Sequence, residues 1–315
     1  MIRKSPDDFL AKDFIATTEG LVFAVVENGT EQGRVLGFLR YRKISSGWQK
    51  LSTQQANTFL QVNYPDYLFH SVNKDACIHA VATDRITKHY RPEQILLNIL
   101  QLESQDQVIL DLQKFYLLLA NAGLELQNVG VTGSVLINAQ KQSSDIDLVI
   151  YDRVEFFKLR EQVIKLIDNS LLKGLTEKDW QASYQRRSCE LTFSEYVWHE
   201  QRKNNKVVIN DRKVDLSFVD PLCAEENTTY TKIGSIKLKT FITDHTKSFD
   251  YPAVFQIDSQ EAQSVVSYTA TYTGQAFAGE KVEIAGLLER ADNGQCRVIV
   301  GSSREAQDEY IKVLL

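Results

Sequence analysis

The sequence predicts an α+β chain: a central αβ core with a mixed sheet, an N-terminal α+β segment and a C-terminal, OB-like small β-barrel. Three observations predict this. Strand-like runs joined by turn residues occupy residues 1–93, helix and strand patterns alternate over 94–221, and short strands punctuated by glycines fill 222–315. A chain of 315 residues suits about two or three domains of this kind.

In the first segment, Leu21 to Val26 and Arg34 to Tyr41 are apolar runs separated by Asn28-Gly29, a turn signal that predicts a hairpin. Ser52 to Val62 reads as a helix, and Ala76 to Val81 as a further strand before Pro92. In the second segment, Ser104-x-x-Gln107 has the form of a capping box. Val108, Ile109, Leu112, Phe115, Tyr116 and Leu119 then recur at helical spacing until Gly123. Strands follow at Gln127 to Thr132 and Ile146 to Tyr151, with a helix from Arg153 to Leu172 closing at Gly174. Val207 to Ile209 and Val214 to Val219 flank Asn210-Asp211, a second hairpin, and Pro221 marks a boundary. In the third segment, strands are expected at Ala253 to Ile257, Ser264 to Tyr272, Lys281 to Leu288 and Cys296 to Val300, with glycines between them.

Composition excludes several classes. The chain is 43% hydrophobic and 24% charged, too apolar for intrinsic disorder. Its net charge is −5, so a protein that coats nucleic acid indiscriminately is excluded. The three segments carry +2, −3 and −4. Cys77, Cys189, Cys223 and Cys296 are scattered, which argues against zinc and for reduced thiols. No apolar run follows Arg3 and Lys4, and no stretch approaches a membrane span, so a cytoplasmic protein with no membrane partner is expected. The sequons at Asn28 and Asn227 are read as chance matches.

The chemistry concentrates in Gly133-Ser134, Asp145-Ile146-Asp147 and Asp215. Residues two apart in a strand share a face, so Asp145 and Asp147 project together, and Asp215 lies in another apolar strand. Neighbouring carboxylates repel unless a cation lies between them, and hard oxygen donors suit Mg²⁺ or Mn²⁺. Three carboxylates on two adjacent strands suit a pair of such ions, the arrangement of in-line phosphoryl displacement. Gly133 and Ser134, at the end of a strand, suit backbone and hydroxyl contact with a phosphate.

These residues resemble the DNA polymerase β-like nucleotidyltransferase superfamily: Gly133-Ser134, an eleven-residue step to the Asp145-x-Asp147 strand, and Asp215 as the third acid. The resemblance covers about residues 104 to 220. It implies that Asp145 and Asp147 hold two Mg²⁺ or Mn²⁺ ions, that Asp215 completes the catalytic one, and that Gly133 and Ser134 hold the β- and γ-phosphates of an NTP. It further implies transfer of a nucleotidyl group to a hydroxyl acceptor, RNA ahead of protein, with release of pyrophosphate. The alternative is a non-catalytic nucleotide-binding or scaffold module. One departure is that small members follow Gly-Ser with basic and glycine residues, whereas here Val135-Leu136-Ile137-Asn138 follows. Arg202, Lys203 and Lys206, or Arg186-Arg187, are the substitutes expected to supply cations to the triphosphate. The plainer reading of Arg202, Lys203 and Lys206 is a solvated helix end, and of His199-Glu200 a surface pair. His79 and His89 read as core or surface histidines, and Tyr64, Tyr67, Phe69, Tyr268 and Tyr272 as packing residues.

Overall fold

Alternating apolar residues build the first sheet of this α+β protein, whose computed structural model describes all residues except 1, 4, 6, 7, 188, 224–227, 303–305, 307 and 315. Strands β1 (Phe14–Thr17), β2 (Leu21–Val25), β3 (Arg34–Ile44) and β4 (Gly47–Lys50) precede helix α1 (Thr53–Asn63). Ser52 caps α1 through a reciprocal box with Gln55, which fixes the helix start. Strands β5 (Leu68–Ser71), β6 (Ala76–Ala82) and β7 (Ile86–Tyr90) complete a seven-stranded sheet of order β5-β6-β3-β2-β1-β7, with β4 on β3. One face buries Ile15, Phe23, Leu39 and Val81 against Leu60 of α1 and Tyr67. The other face is also apolar at Phe14, Ala16, Val22 and Tyr41, so it too needs a cover.

Helices α2 (Pro92–Leu100) and α3 (Gln107–Asn121) lead to strand β8 (Val129–Thr132), the single turn α4 (Gly133–Leu136), strand β9 (Ile146–Ile150) and helix α5 (Arg153–Asp168). Two local expectations are corrected. The cap of α3 is Asp106, whose carboxylate accepts the Val108 N–H, while Ser104 is used by the Asp106 amide. Helix α5 ends at Asp168 because Ser170 takes a positive φ of 59°, so Gly174 is not its stop.

After α6 (Glu177–Arg187) and α7 (Phe193–Arg202), strands β10 (Lys206–Ile209) and β11 (Arg212–Phe218) form the expected hairpin. Asn210 and Asp211 both take positive φ, 46° and 62°, as a two-residue turn of the primed type requires. The second sheet has the order β10-β11-β9-β8 and is mixed, with β9 and β11 parallel. Val214, Leu216 and Phe218 are buried on one side of β11, while Lys213, Asp215 and Ser217 alternate with them.

Strands β12 (Tyr230–Asp244), β13 (Ala253–Ile257), β14 (Ser264–Ser267), β15 (Lys281–Ala291), β16 (Cys296–Val300) and β17 (Tyr310–Val313) form the third sheet. Its pairings run β12-β13-β14-β16-β15 and return from β15 to β12, with β14 and β16 parallel and β17 added to β15. Phe255, Val282, Ile284 and Val298 fill its core with Trp180 of α6, Tyr196 of α7 and Leu191.

The chain groups into two compact units. One holds Met1–Ser71, Ala76–Gly174 and Asn205–Glu225, and therefore both the first and the second sheet. The other holds Val72–Asp75, Leu175–Asn204 and Glu226–Leu315, so α6 and α7 belong with the third sheet. Among the described residues, no helix is long and apolar enough to cross a membrane. None of the four cysteines is in a disulfide. Asn28 is used structurally, accepting from the Ala11 amide and donating to the Asp220 carbonyl, and Asn227 lies outside the described residues.

Candidate functional site

Register in the second sheet builds the site. Lys206 stands opposite Asp215 on the antiparallel pair β10/β11, Asp215 opposite Asp147 on the parallel pair, and Asp147 opposite Thr132 on β8/β9. Paired residues share a face, so Lys206, Asp215, Asp147 and Thr132 form one row across four strands, neighbours being about 5 Å apart along it. Asp145 precedes β9 on the same side as Asp147, and its Oδ2 lies 3.9 Å from Nζ of Lys213.

Gly133 turns the chain immediately beyond that row. Its φ is +69°, and a Cβ placed there would fall 2.2 Å from Asp147 Oδ2. Both the left-handed backbone and the close carboxylate make a side chain here costly. The Asp147 carboxylate is therefore seated against the Gly133-Ser134 backbone, and its carboxyl is pushed up to about 6. Burial is the main cause, followed by the Asp215 charge; Asp145 acts in the same direction, and Lys12 and Lys50 oppose it.

A buried ion pair holds the frame. Arg212, at the start of β11, donates through Nε to Asp111 Oδ2 at 2.8 Å and through Nη1 to the carbonyls of Gln142 and Ser144, the residues leading into Asp145. Asn210 and Gln107 also donate to Asp111. Burial alone would raise the Asp111 carboxyl, but these bonds outweigh it and hold it below its ordinary value. The sequence signal was a carboxylate within the apolar stripe of a helix, three residues after Val108 and four before Phe115.

The structure brings together Gly133, Asp147, Asp215 and Lys206, with Asp145 beside Lys213 and Ser134 in the turn. Arg202 and Lys203 belong to the second unit, and their charges are answered there. Arg202 pairs with Glu280 and stacks on Trp198 and Phe277. Lys203 is 1% exposed; its ammonium donates to Glu200 and to the Thr271 carbonyl at 2.5 and 2.6 Å. Arg186 and Arg187 are also in the second unit, on α6. His199 and Glu200 are not a surface pair, being 2% and 3% exposed. Among the described residues, no three His, Cys, Asp or Glu side chains converge as a ready-made metal-ligand group.

The first segment supplies what the sequence left open. Leu136 and Ile137 pack on Phe14, Ala16, Val22 and Tyr41, so the apolar run after Ser134 is the cover of the first sheet. Lys12 and Lys50, from that same sheet's turn and edge, bring positive charge to Asp147. No local pattern marks them, because their proximity is created by sheet packing.

No family model matches the sequence, and no solved structure matches it. A relative from Methanocaldococcus jannaschii, the uncharacterized protein MJ1086, is 30% identical over 333 residues, covering 96% of this chain and 98% of the relative. The chain belongs to the MJ1086 family. The match runs through both units of this member of the MJ1086 family, well beyond the stretch that holds the acidic row.

Proposed function

We propose that this protein is a nucleotidyltransferase that moves an NMP from an NTP to a hydroxyl acceptor, with Mg²⁺ or Mn²⁺ as its cofactor. The observation that carries this reading is the direct opposition of Asp147 and Asp215 on parallel strands, with the Gly133 backbone pressed against Asp147. The donor set fits a divalent cation: the hard carboxylates of Asp147 and Asp215 stand in register, and the Asp215 charge adds to the burial that raises the Asp147 carboxyl. A bound ion would lower the pKa of the acceptor hydroxyl and offset charge on the departing pyrophosphate. Asp215 would accept the hydroxyl proton as the acceptor oxygen bonds to the α-phosphorus and the bond to the β-phosphate oxygen breaks. The Gly133-Ser134 turn and Lys206 would orient the β- and γ-phosphates. RNA is the acceptor to test first, on the analogy of small β-rings that bind polynucleotides, an argument from fold alone.

Titration calorimetry with each NTP and MgCl₂ tests the reading, followed by incubation of α-labelled NTP with total RNA or lysate protein. Binding and pyrophosphate release that Asp147→Asn abolishes are expected. No NTP binding, or binding unchanged by Asp145→Asn and Asp147→Asn, overturns it. A non-catalytic nucleotide-binding module is the second reading, favoured by Asp145 facing Lys213 instead of converging with the other two acids. It predicts stabilisation by NTP with no pyrophosphate release.

A further inference from the structure

Lys12 occupies an unusual position. Its φ is +78°, a left-handed backbone that a side-chain-bearing residue rarely adopts and that a fold retains only where its surroundings dictate it. Those surroundings are densely hydrogen-bonded. The Lys12 amide donates to Val25 and the Val25 amide to Asp13. Asp13, fully buried, receives Arg3 through two bonds of 2.7 Å, the Leu10 amide, and His89 Nε2 at 2.7 Å. Arg3 is held in turn by Glu93.

The turn so braced is attached to the acidic row. Thr132 Oγ1 donates to the Lys12 carbonyl at 2.7 Å, and Thr132 both stands opposite Asp147 and precedes Gly133-Ser134. Lys12 is thus fixed by its backbone at the strand end where the proposed phosphate turn begins. Its charge acts on Asp147, and its side chain is half-buried, within reach of solvent.

We infer that Lys12 is a triphosphate-binding residue, supplying from the first sheet the cation that the apolar run after Ser134 does not. This rests on the nucleotidyl-transfer reading of the same site. It assigns the first segment a direct part in substrate binding, and it explains why a braced turn carries a lysine where glycine would be the easier residue.

The left-handed backbone at Lys12 gives the test opposite signs for structure and binding. Lys12→Gly suits φ +78° and should leave the thermal midpoint unchanged or higher. The same variant should weaken binding of Mg–NTP, measured by calorimetry with ATP, GTP, CTP and UTP, by about tenfold or more. Lys12→Arg keeps the charge and should bind within about threefold of wild type. If wild type binds an NTP and Lys12→Gly binds it within about twofold, the inference falls while the proposed function stands. Equal loss in the Gly and Arg variants, or loss in step with a lowered midpoint, assigns Lys12 a structural role and also overturns it. If wild type binds none of the four, the proposed function falls and takes this inference with it.

Discussion

Asp147 and Asp215 face one another in register across the parallel strands β9 and β11, and their repulsion is built into the backbone pairing. The sheet fixes their separation, so neither carboxylate can withdraw by more than a rotamer change.

Asp147→Asn is therefore expected to be more stable than wild type above pH 6 in the absence of divalent cations. The Asp147 carboxyl is raised from 3.8 to about 6, so the folded state binds its proton more tightly than the unfolded chain does. Stability is lost as pH rises through that interval, by about 3 kcal/mol, and Asn removes the loss. Urea unfolding at pH 5 and 8, with EDTA and with MgCl₂, measures this. Mg²⁺ should stabilise wild type at pH 8 and leave Asp147→Asn unchanged.

Two neutral histidines predict a separate acid sensitivity. His79 accepts the Leu39 N–H at Nδ1 and donates from Nε2 to Asn57, while His199 donates from Nδ1 to the Glu195 carbonyl and accepts the Val313 N–H at Nε2. Protonation would leave each amide without its acceptor. Burial is the main force lowering both from 6.5 to about 4. The unfolded chain takes up these protons first, so stability falls as pH drops from about 6.5 towards 4, by on the order of 3 kcal/mol for each. The loss belongs to the first unit for His79 and the second for His199. Denaturant curves at pH 7.5 and 5 should show it, and His199→Gln should flatten the second unit's share.

Gly133→Ala is expected to disturb the site more than its size suggests. It places a Cβ within 2.2 Å of Asp147 Oδ2 and requires a positive φ. A cost of about 1–3 kcal/mol follows from the backbone alone. Thermal melts measure that cost, and loss of Mg²⁺-dependent stabilisation reports the displaced carboxylate.

Asp111→Ala leaves the Arg212 guanidinium buried without its partner. Destabilisation of about 3–5 kcal/mol is expected. Asp111→Asn, which keeps an acceptor for Arg212, should cost less, and urea unfolding ranks the two.

The acidic row was legible because it is local: strand alternation aligns Asp145 with Asp147, and an Asn210-Asp211 turn sets β10 against β11. Lys213, two residues before Asp215, is legible by the same rule. Lys12, Lys50 and the Asp111–Arg212 pair were not legible, since each depends on residues far apart in sequence. Helices α6 and α7 hid behind polar composition, and β12 behind its lysines; residues 231–235 of β12 are all exposed, and exposure alternates only from Ser235 to Thr243. Arg202 and Lys203 misled because their nearness to Lys206 in sequence ends at the boundary between the two units.

The packing of Leu136 and Ile137 on Phe14, Ala16, Val22 and Tyr41 has a bearing on kinship. A turn whose next residues roof another sheet cannot be inherited without that sheet. In relatives of this chain, apolar residues at the positions of Leu136 and Ile137 should travel with the first ninety residues. A lineage that shed the sheet should show those positions drifting to polar or basic side chains.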